Sequence, residues 1–180
     1  MAQLLAVRPD LDIVPIRGNV PPRLRKIRTE GLDAVVPAAA GLRRLGLDDA
    51  IDELLPLDLF PPSPGQGALG IQVRADWGSE RLREILRTNG DPETDAAVRA
   101  ERALLAELHG GCSVPVGAYA AVRPEGDLIL SGQVTSVDGR DRVSGTLIGT
   151  LAEPEKLGTA LAMELMGQGA IRILETARQT

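Results

Sequence analysis

The sequence predicts an α/β fold in two parts: a partial domain with a parallel or mixed sheet, and an α+β domain in which helices cover a three-stranded antiparallel sheet. Two observations support this prediction. In the first part, two apolar runs of strand length are each followed by a helix-forming segment, which is the alternation of a parallel α/β layer. In the second part, hairpin signals separate three strand-length runs that are flanked by helix-forming segments, which is typical of an antiparallel sheet.

The composition is that of a globular chain without an excess of basic residues. Its 180 residues are 43% hydrophobic and 25% charged, which is enough to bury a core. The formal net charge of −5 argues against a nucleic acid or an anionic membrane as partner, because both favour basic surfaces. No run approaches the roughly 20 apolar residues of a membrane helix, and the stretch after Met1 is too short for a signal peptide. We therefore expect a cytoplasmic protein.

The single cysteine and the single histidine limit redox and metal chemistry. Cys112 has no partner for an internal disulfide, and His109 alone provides no set of zinc ligands. We expect no metal site and a reducing compartment.

The first part contains two strand-then-helix units. A strand over residues 12–16 precedes a helix over 21–28 that two prolines open, and a strand over 32–37 precedes a helix of small residues over 38–45. Residues 54–60 supply a third apolar run of strand length. Together these elements predict a parallel α/β layer.

A break in the pattern follows at residues 61–67, which read Pro-Pro-Ser-Pro-Gly-Gln-Gly. No helix or central strand tolerates this composition, so we predict a hinge or domain crossover there. Residues 69–73 then alternate like a strand for which this chain offers no obvious sheet. The predicted organisation is a partial α/β domain over 1–62, a crossover with an orphan strand and helix over 63–88, and an α+β domain over 89–180.

A helix over residues 79–86 belongs to the crossover, and the α+β domain begins with a longer helix that has Asp91 as N-cap and Pro92 as its first residue. One face of the longer helix is mainly apolar and carries Ala97, Glu101, Leu104, Leu105 and Leu108. Three strands and two helices follow, over residues 114–122, 128–134, 142–151, 154–166 and 170–176.

Arginines lie at the first strand-to-helix junction. Arg17 ends the strand, Gly18 allows a tight turn, and Arg23 lies in the first turns of the helix, whose free N–H groups favour anions. Because open α/β sheets place ligands at the carboxyl ends of their strands, both arginines could reach a bound anion. On spacing alone, a pair of solvated arginines is the more common explanation.

The second junction repeats this geometry. Gly41 lies among alanines and would let a ligand approach the backbone. Arg43 and Arg44 point about 100° apart on a helix, so at most one faces the ligand, and we choose Arg44. Its charge would equally suit the carboxyl end of the helix. Gln66, between two glycines, offers a carboxamide to a pyrrole or carboxylate, although most such segments are only turns.

The lone thiol follows a glycine pair, in Gly110-Gly111-Cys112. The glycines leave Cys112 open to a ligand on a loop between a helix and a strand. Without further context, a lone cysteine is more often a buried, inert side chain. His109 offers no protease-like arrangement, and the preceding helix terminus disfavours a thiolate.

Five stretches are specific only in combination. They read Arg-Gly-Asn-Val at 17–20 with Arg-Leu at 23–24, Ala-Gly-Leu-Arg-Arg-Leu-Gly at 40–46, Gly-Gln-Gly-Ala at 65–68, Glu-Arg-Ala at 101–103 and Gly-Gly-Cys-Ser-Val-Pro at 110–115. In this order and spacing they resemble the porphobilinogen deaminases (hydroxymethylbilane synthases). The resemblance runs over essentially the whole chain.

The resemblance implies a transferase of tetrapyrrole (porphyrin, heme) biosynthesis that condenses four porphobilinogens stepwise and releases ammonia. In that family the cysteine after the glycine pair carries a dipyrromethane cofactor through a thioether, which here is Cys112. The resemblance further implies that Arg17 and Arg23 pair with carboxylates of the cofactor and of the growing oligopyrrole, for which guanidinium forks are suited. Three residues would help to bind the incoming porphobilinogen: Arg44, Gln66 and Gly41.

The resemblance also implies a periplasmic-binding-protein-like fold for the first part, and family members are usually monomeric. The aspartate that moves protons in the family lies in an N-terminal domain that we expect this chain to lack, and the orphan strand would return to that domain. We therefore expect this polypeptide alone to be inactive. The alternatives are a non-catalytic carboxylate or pyrrole binder, and a truncated gene product that associates through exposed apolar surface.

Overall fold

The computed structural model describes residues 1–76, 78–108 and 115–178. Its backbone divides into two units. The smaller unit is Leu11–Pro56, and the larger unit is Met1–Asp10 together with Leu57–Thr180.

The larger unit is built on a three-stranded antiparallel sheet. Its strands β1 (Val116–Val122), β2 (Leu128–Thr135) and β3 (Arg142–Gly149) lie in that order. Tight turns join them, and Gly126 and Gly139 adopt the positive φ that these turns require, at 87° and 77°. The predicted three-stranded sheet is confirmed.

Helices cover one face of this sheet. The cover consists of α5 (Pro92–Glu107), α6 (Pro154–Gly167) and α7 (Ala170–Arg178), and α4 (Glu80–Thr88) precedes these three helices in the chain. All four confirm predicted helices, and the Asp91 side chain caps α5 by accepting the Glu93 N–H. The fully buried leucines between helices and sheet are Leu104, Leu108, Leu128, Leu130, Leu161, Leu165 and Leu174. Burial of such a side chain contributes about 1.5–3 kcal/mol.

Glycines on the covered face of the sheet make room for these leucines. A Cβ added at Gly132 would lie 2.8 Å from Leu104 Cδ2 and 3.0 Å from Leu161 Cδ2. A Cβ at Gly145 would lie 3.0 Å from Leu161 Cδ1. Because glycine has no side chain, α5 and α6 pack directly against the backbone of β2 and β3 at these two positions.

The outer edge of β1 is satisfied by side-chain and backbone groups rather than by a fourth strand. The Ala118 N–H donates to the Pro62 carbonyl at 2.8 Å, and the Ala120 N–H donates to Glu101 Oε1 at 2.8 Å. Gln3, from α1 (Ala2–Val7), donates through Nε2 to the Pro61 carbonyl at 2.9 Å. Residues 61–62 therefore lie along this edge, where the Pro62 carbonyl satisfies one N–H group that an open sheet would expose.

The smaller unit contains α2 (Val20–Thr29), α3 (Ala39–Arg44) and a 3₁₀ turn at Asp48–Ala50. The two helices confirm the predictions for residues 21–28 and 38–45. Leu42 is buried, with 3% of its surface exposed.

Four segments predicted as strands are not strands in the described part of the chain: residues 12–16, 32–37, 54–60 and 69–73. A strand exists only as a member of a hydrogen-bonded ladder, and none of these segments pairs with another described segment. The apolar pattern of these segments is typical of a strand, but it does not show whether a second segment is present to pair with. The predicted parallel or mixed sheet is accordingly not seen among the described residues.

Two short elements were not predicted, α1 and the 3₁₀ turn. They contain six and three residues, too few to show helical periodicity in the sequence. The stretch after Met1, which is too short for a signal peptide, forms α1 in the structure and contributes the bond from Gln3 to Pro61.

The close crossing of α5 and α6 predicts the effect of a single methyl group. A Cβ at Gly158 would lie 2.3 Å from the Ala100 carbonyl oxygen and 2.7 Å from Ala103 Cβ. We expect Gly158→Ala to lower the free energy of unfolding by about 1–3 kcal/mol, because the helices must separate. Urea denaturation followed by circular dichroism measures this change.

Gly167→Ala is the matched control on the same helix. A Cβ at Gly167 meets nothing within 4 Å, so this variant should be neutral or more stable by about 0.4–1 kcal/mol. Equal losses in the two variants would contradict the packing argument.

Candidate functional site

The turn before α2 places two of the predicted arginines at the same end of one helix. Gly18 has φ +115°, a conformation that other residues rarely adopt, so the turn depends on glycine. Arg23 Nε donates to the Gly18 carbonyl at 2.7 Å, which folds its guanidinium back over the turn that Arg17 precedes. Both residues therefore lie at the amino-terminal end of α2, where free N–H groups favour anions.

Gly41 lies where α3 meets the start of α2. A Cβ at this position would lie 3.3 Å from Val20 Cγ2, so the glycine lets the two helices approach. This contact gives Gly41 a packing role, and its predicted ligand role stays a prediction. It also makes α3, which carries Arg44, a neighbour of the start of α2, three residues after Arg17.

The arginines chosen for ligand binding have no carboxylate partner among the described residues. Arg43 pairs with Asp48, with Nε and Oδ1 3.9 Å apart. Arg17 and Arg44 are exposed and make no such pair with the described residues, and Arg23 bonds a carbonyl oxygen instead. A guanidinium without an internal counter-charge is available to an external carboxylate. The choice of Arg44 over Arg43 stays a prediction.

Gln66 lies in a turn of the larger unit. Its N–H donates to the Ser63 carbonyl at 3.0 Å, and its side chain is exposed. Gly65 before it has φ +75°, and the Gly65 N–H donates to Glu101 Oε2 at 2.7 Å. The turn that presents Gln66 is therefore fixed by a carboxylate of α5.

Glu101 is the residue of this region to which sequence reasoning gave no role. It is 6% exposed, and its two oxygens accept the N–H groups of Gly65 and Ala120. Burial raises the pKa of its carboxyl group, while the two N–H donors act in the opposite direction. The sequence did carry a signal, since Glu101 is a charged residue on the apolar face of α5. Such a residue needs a buried partner.

Cys112, the predicted site of cofactor attachment, lies outside the described residues, as do His109 and the glycine pair. The described residues that flank this stretch are Leu108, which is buried in the core of the larger unit, and Pro115, which is half-buried. The role of Cys112 stays a prediction.

In residues 1–76, 78–108 and 115–178, no group of three or more His, Cys, Asp or Glu side chains could hold a metal ion. No helix in the same ranges is long and apolar enough to cross a membrane.

The chain matches two family models in succession. Residues 1–84 match the model described as porphobilinogen deaminase, dipyromethane cofactor binding domain. Residues 96–167 match the model described as porphobilinogen deaminase, C-terminal domain. The two models therefore cover the arginine-bearing helices and the sheet domain in turn.

Curated relatives named porphobilinogen deaminase are similar over nearly the whole chain. The relative from Carboxydothermus hydrogenoformans is 46% identical over 179 residues, which are 99% of this chain and 57% of the relative. The relative from Geobacter metallireducens is 51% identical over 179 residues, which are 99% of this chain and 55% of the relative. This chain thus spans somewhat more than half the length of these relatives.

The raised pKa of Glu101 predicts how stability changes with pH. The folded chain holds this proton to higher pH than the unfolded chain does, so the contribution of Glu101 is largest below about pH 4 and falls as the pH rises through its folded pKa. We expect the free energy of unfolding of the parent, relative to Glu101→Gln, to decrease as the pH rises from the ordinary pKa of a glutamate, about 4.3, through the higher pKa of the folded state. Urea denaturation across this range measures the difference.

Glu155→Gln provides a control of opposite sign. Arg99 Nε donates to Glu155 Oε1 at 2.6 Å and lowers the pKa of Glu155. Relative to this variant the parent should lose stability as the pH falls through the folded pKa of Glu155, by a small amount because the pair is exposed. A flat or rising difference for Glu101 would contradict the burial argument.

Proposed function

Because this chain belongs to the porphobilinogen deaminase family, we propose that it is the part of a hydroxymethylbilane synthase that holds a dipyrromethane cofactor and binds the carboxylates of the growing oligopyrrole. The proposed activity is the stepwise condensation of four porphobilinogens with release of ammonia, a transferase reaction of tetrapyrrole biosynthesis. Porphobilinogen is the proposed substrate.

The observation that carries this proposal is the charge pattern of the smaller unit. Dipyrromethane bears carboxylates, and Arg17, Arg23 and Arg44 have no acidic partner among the described residues. Planar guanidinium forks bind carboxylates bidentately, so the donor set fits the group. Carboxylate binding is therefore the chemistry that this unit can supply.

Each residue has a defined part in the proposal. Arg17 and Arg23 bind carboxylates of the cofactor and the oligopyrrole at the start of α2, while Arg44 and Gln66 bind and orient the incoming porphobilinogen. The thiol of Cys112 holds the cofactor as a thioether. When attached, dipyrromethane supplies the terminal pyrrole on which the oligopyrrole is extended.

The proposal extends to the fold in a polypeptide of the relatives' full length. There we propose that the unpaired apolar segments of the first part gain ladder partners in a periplasmic-binding-protein-like sheet. Segment 69–73 supports this idea, because Leu69 and Ile71 are 90% and 70% exposed. Large apolar side chains in such numbers favour a covered position.

Covalent attachment at Cys112 is tested by intact-mass spectrometry. A polypeptide of the relatives' full length that carries these 180 residues should be heavier than its sequence by one dipyrromethane when produced in cells that make porphobilinogen. Cys112→Ser should have the mass of its sequence alone. Equal adducts, or none, in the two proteins would refute the assignment of Cys112.

The arginine assignment is tested by steady-state kinetics on the same full-length polypeptide. Arg23→Met should lower kcat/KM for porphobilinogen about 10- to 100-fold, the equivalent of one charge-assisted hydrogen bond of about 1.5–3 kcal/mol. Arg25→Met removes an exposed arginine from the same helix and should leave kcat/KM within about twofold. Equal losses at the two positions would show a general charge effect instead.

The 180-residue polypeptide by itself is proposed to bind porphobilinogen without turning it over. Incubation with porphobilinogen should yield no hydroxymethylbilane, while the full-length polypeptide yields product under the same conditions. Product formed by the 180 residues alone would show that they contain every group that the reaction needs.

A further inference from the structure

The Glu101 carboxylate joins two parts of the larger unit that are distant in sequence. Its Oε2 accepts the Gly65 N–H at 2.7 Å, and its Oε1 accepts the Ala120 N–H at 2.8 Å. Glu101 is 6% exposed, and its bond to Ala120 is buried while its bond to Gly65 is partly buried. One buried group therefore sets the distance between the turn at residue 65 and strand β1.

Only a carboxylate performs this role at position 101. A glutamine of the same length has one acceptor oxygen and an NH₂ group that cannot accept from an N–H. Burial of a carboxylate is costly, and the two N–H groups offset that cost. The buried negative charge of Glu101 is thus explained by the need for two acceptor oxygens, one for the Gly65 N–H and one for the Ala120 N–H.

The turn that Glu101 bonds belongs to a segment that also bonds β1 directly. The Pro62 carbonyl accepts the Ala118 N–H at 2.8 Å, two residues before the N–H of Ala120 that Glu101 accepts. A Cβ at Gly65 would lie 3.8 Å from Val98 Cγ1 of α5, so the turn also packs on the helix that carries Glu101. Backbone and carboxylate bonds together fix residues 62–65 against β1 and α5.

The two parts joined by Glu101 adjoin two residues of the proposed function. Gly65 directly precedes Gln66, and β1 begins four residues after Cys112 in the sequence. We propose that Glu101 is a positioning residue for porphobilinogen binding, which holds the turn that presents Gln66 in register with β1. This inference rests on the proposed function, in which Gln66 binds the incoming pyrrole.

The test is a double-mutant cycle in the full-length polypeptide with its cofactor attached. Glu101→Gln should raise KM for porphobilinogen about 10-fold and leave kcat within about twofold, because it removes one of the two acceptors. Gln66→Ala should raise KM as well. In the Gln66→Ala background, Glu101→Gln should add less than about a twofold further increase, since the group that it positions is gone.

Two controls separate positioning from general destabilisation. Glu107→Gln removes an exposed carboxylate from the same helix and should leave KM at the parent value. Leu165→Val shortens a fully buried core side chain and should lower the melting temperature without raising KM. If Glu101→Gln does not fold, Glu101→Asp replaces it, because the shorter side chain reaches at most one of the two N–H groups.

Three results would overturn the inference. The first is a KM in Glu101→Gln that equals the parent value, and the second is a KM in Gln66→Ala that equals the parent value. The third is an equal increase in KM on Glu101→Gln in the parent and in the Gln66→Ala background. Failure of the proposed function has a different signature, namely a parent polypeptide that carries no adduct at Cys112 or does not turn over porphobilinogen.

Discussion

The larger unit depends on the close fit of α5 and α6 against one face of its sheet. Gly132 and Gly145 have no side chains where leucines from the helices meet β2 and β3, and Gly158 lets the two helices approach each other. Interiors packed at this density tolerate neither an added methyl group nor a cavity without cost. Because α5 is held in this way, Glu101 is held as well. Its carboxylate can then bridge Gly65 and Ala120.

The sequence predicted those helices and hairpins that are determined by residues close together in the chain. Asp91 and Pro92 mark the start of α5 because an N-cap side chain and a proline at the first helical position act within one turn. Hairpins at Gly126 and Gly139 were predictable for the same reason. The segments at 12–16 and 32–37 carry the apolar pattern of strands, but a ladder partner is a property of the fold and not of the segment.

The candidate site shows the same division between local and non-local causes. Arg17, Gly18 and Arg23 were predicted together because a glycine turn before a helix positions its neighbours locally. Glu101 was missed because its bonds connect residues 36 and 19 positions apart in the sequence. Its charge on an apolar helix face indicated a buried partner but could not identify one. The structure supplied that partner and with it the link to Gln66.

The central claim is that guanidinium groups at the start of α2 bind the carboxylates of a pyrrole cofactor that is linked to Cys112. A crystal structure of the full-length polypeptide with its cofactor tests this claim most directly. The account predicts a thioether at Cys112 and guanidinium nitrogens of Arg17 and Arg23 about 2.7–2.9 Å from pyrrole carboxylate oxygens. Cofactor carboxylates bound by other residues, with Arg17 and Arg23 directed into solvent, would contradict it.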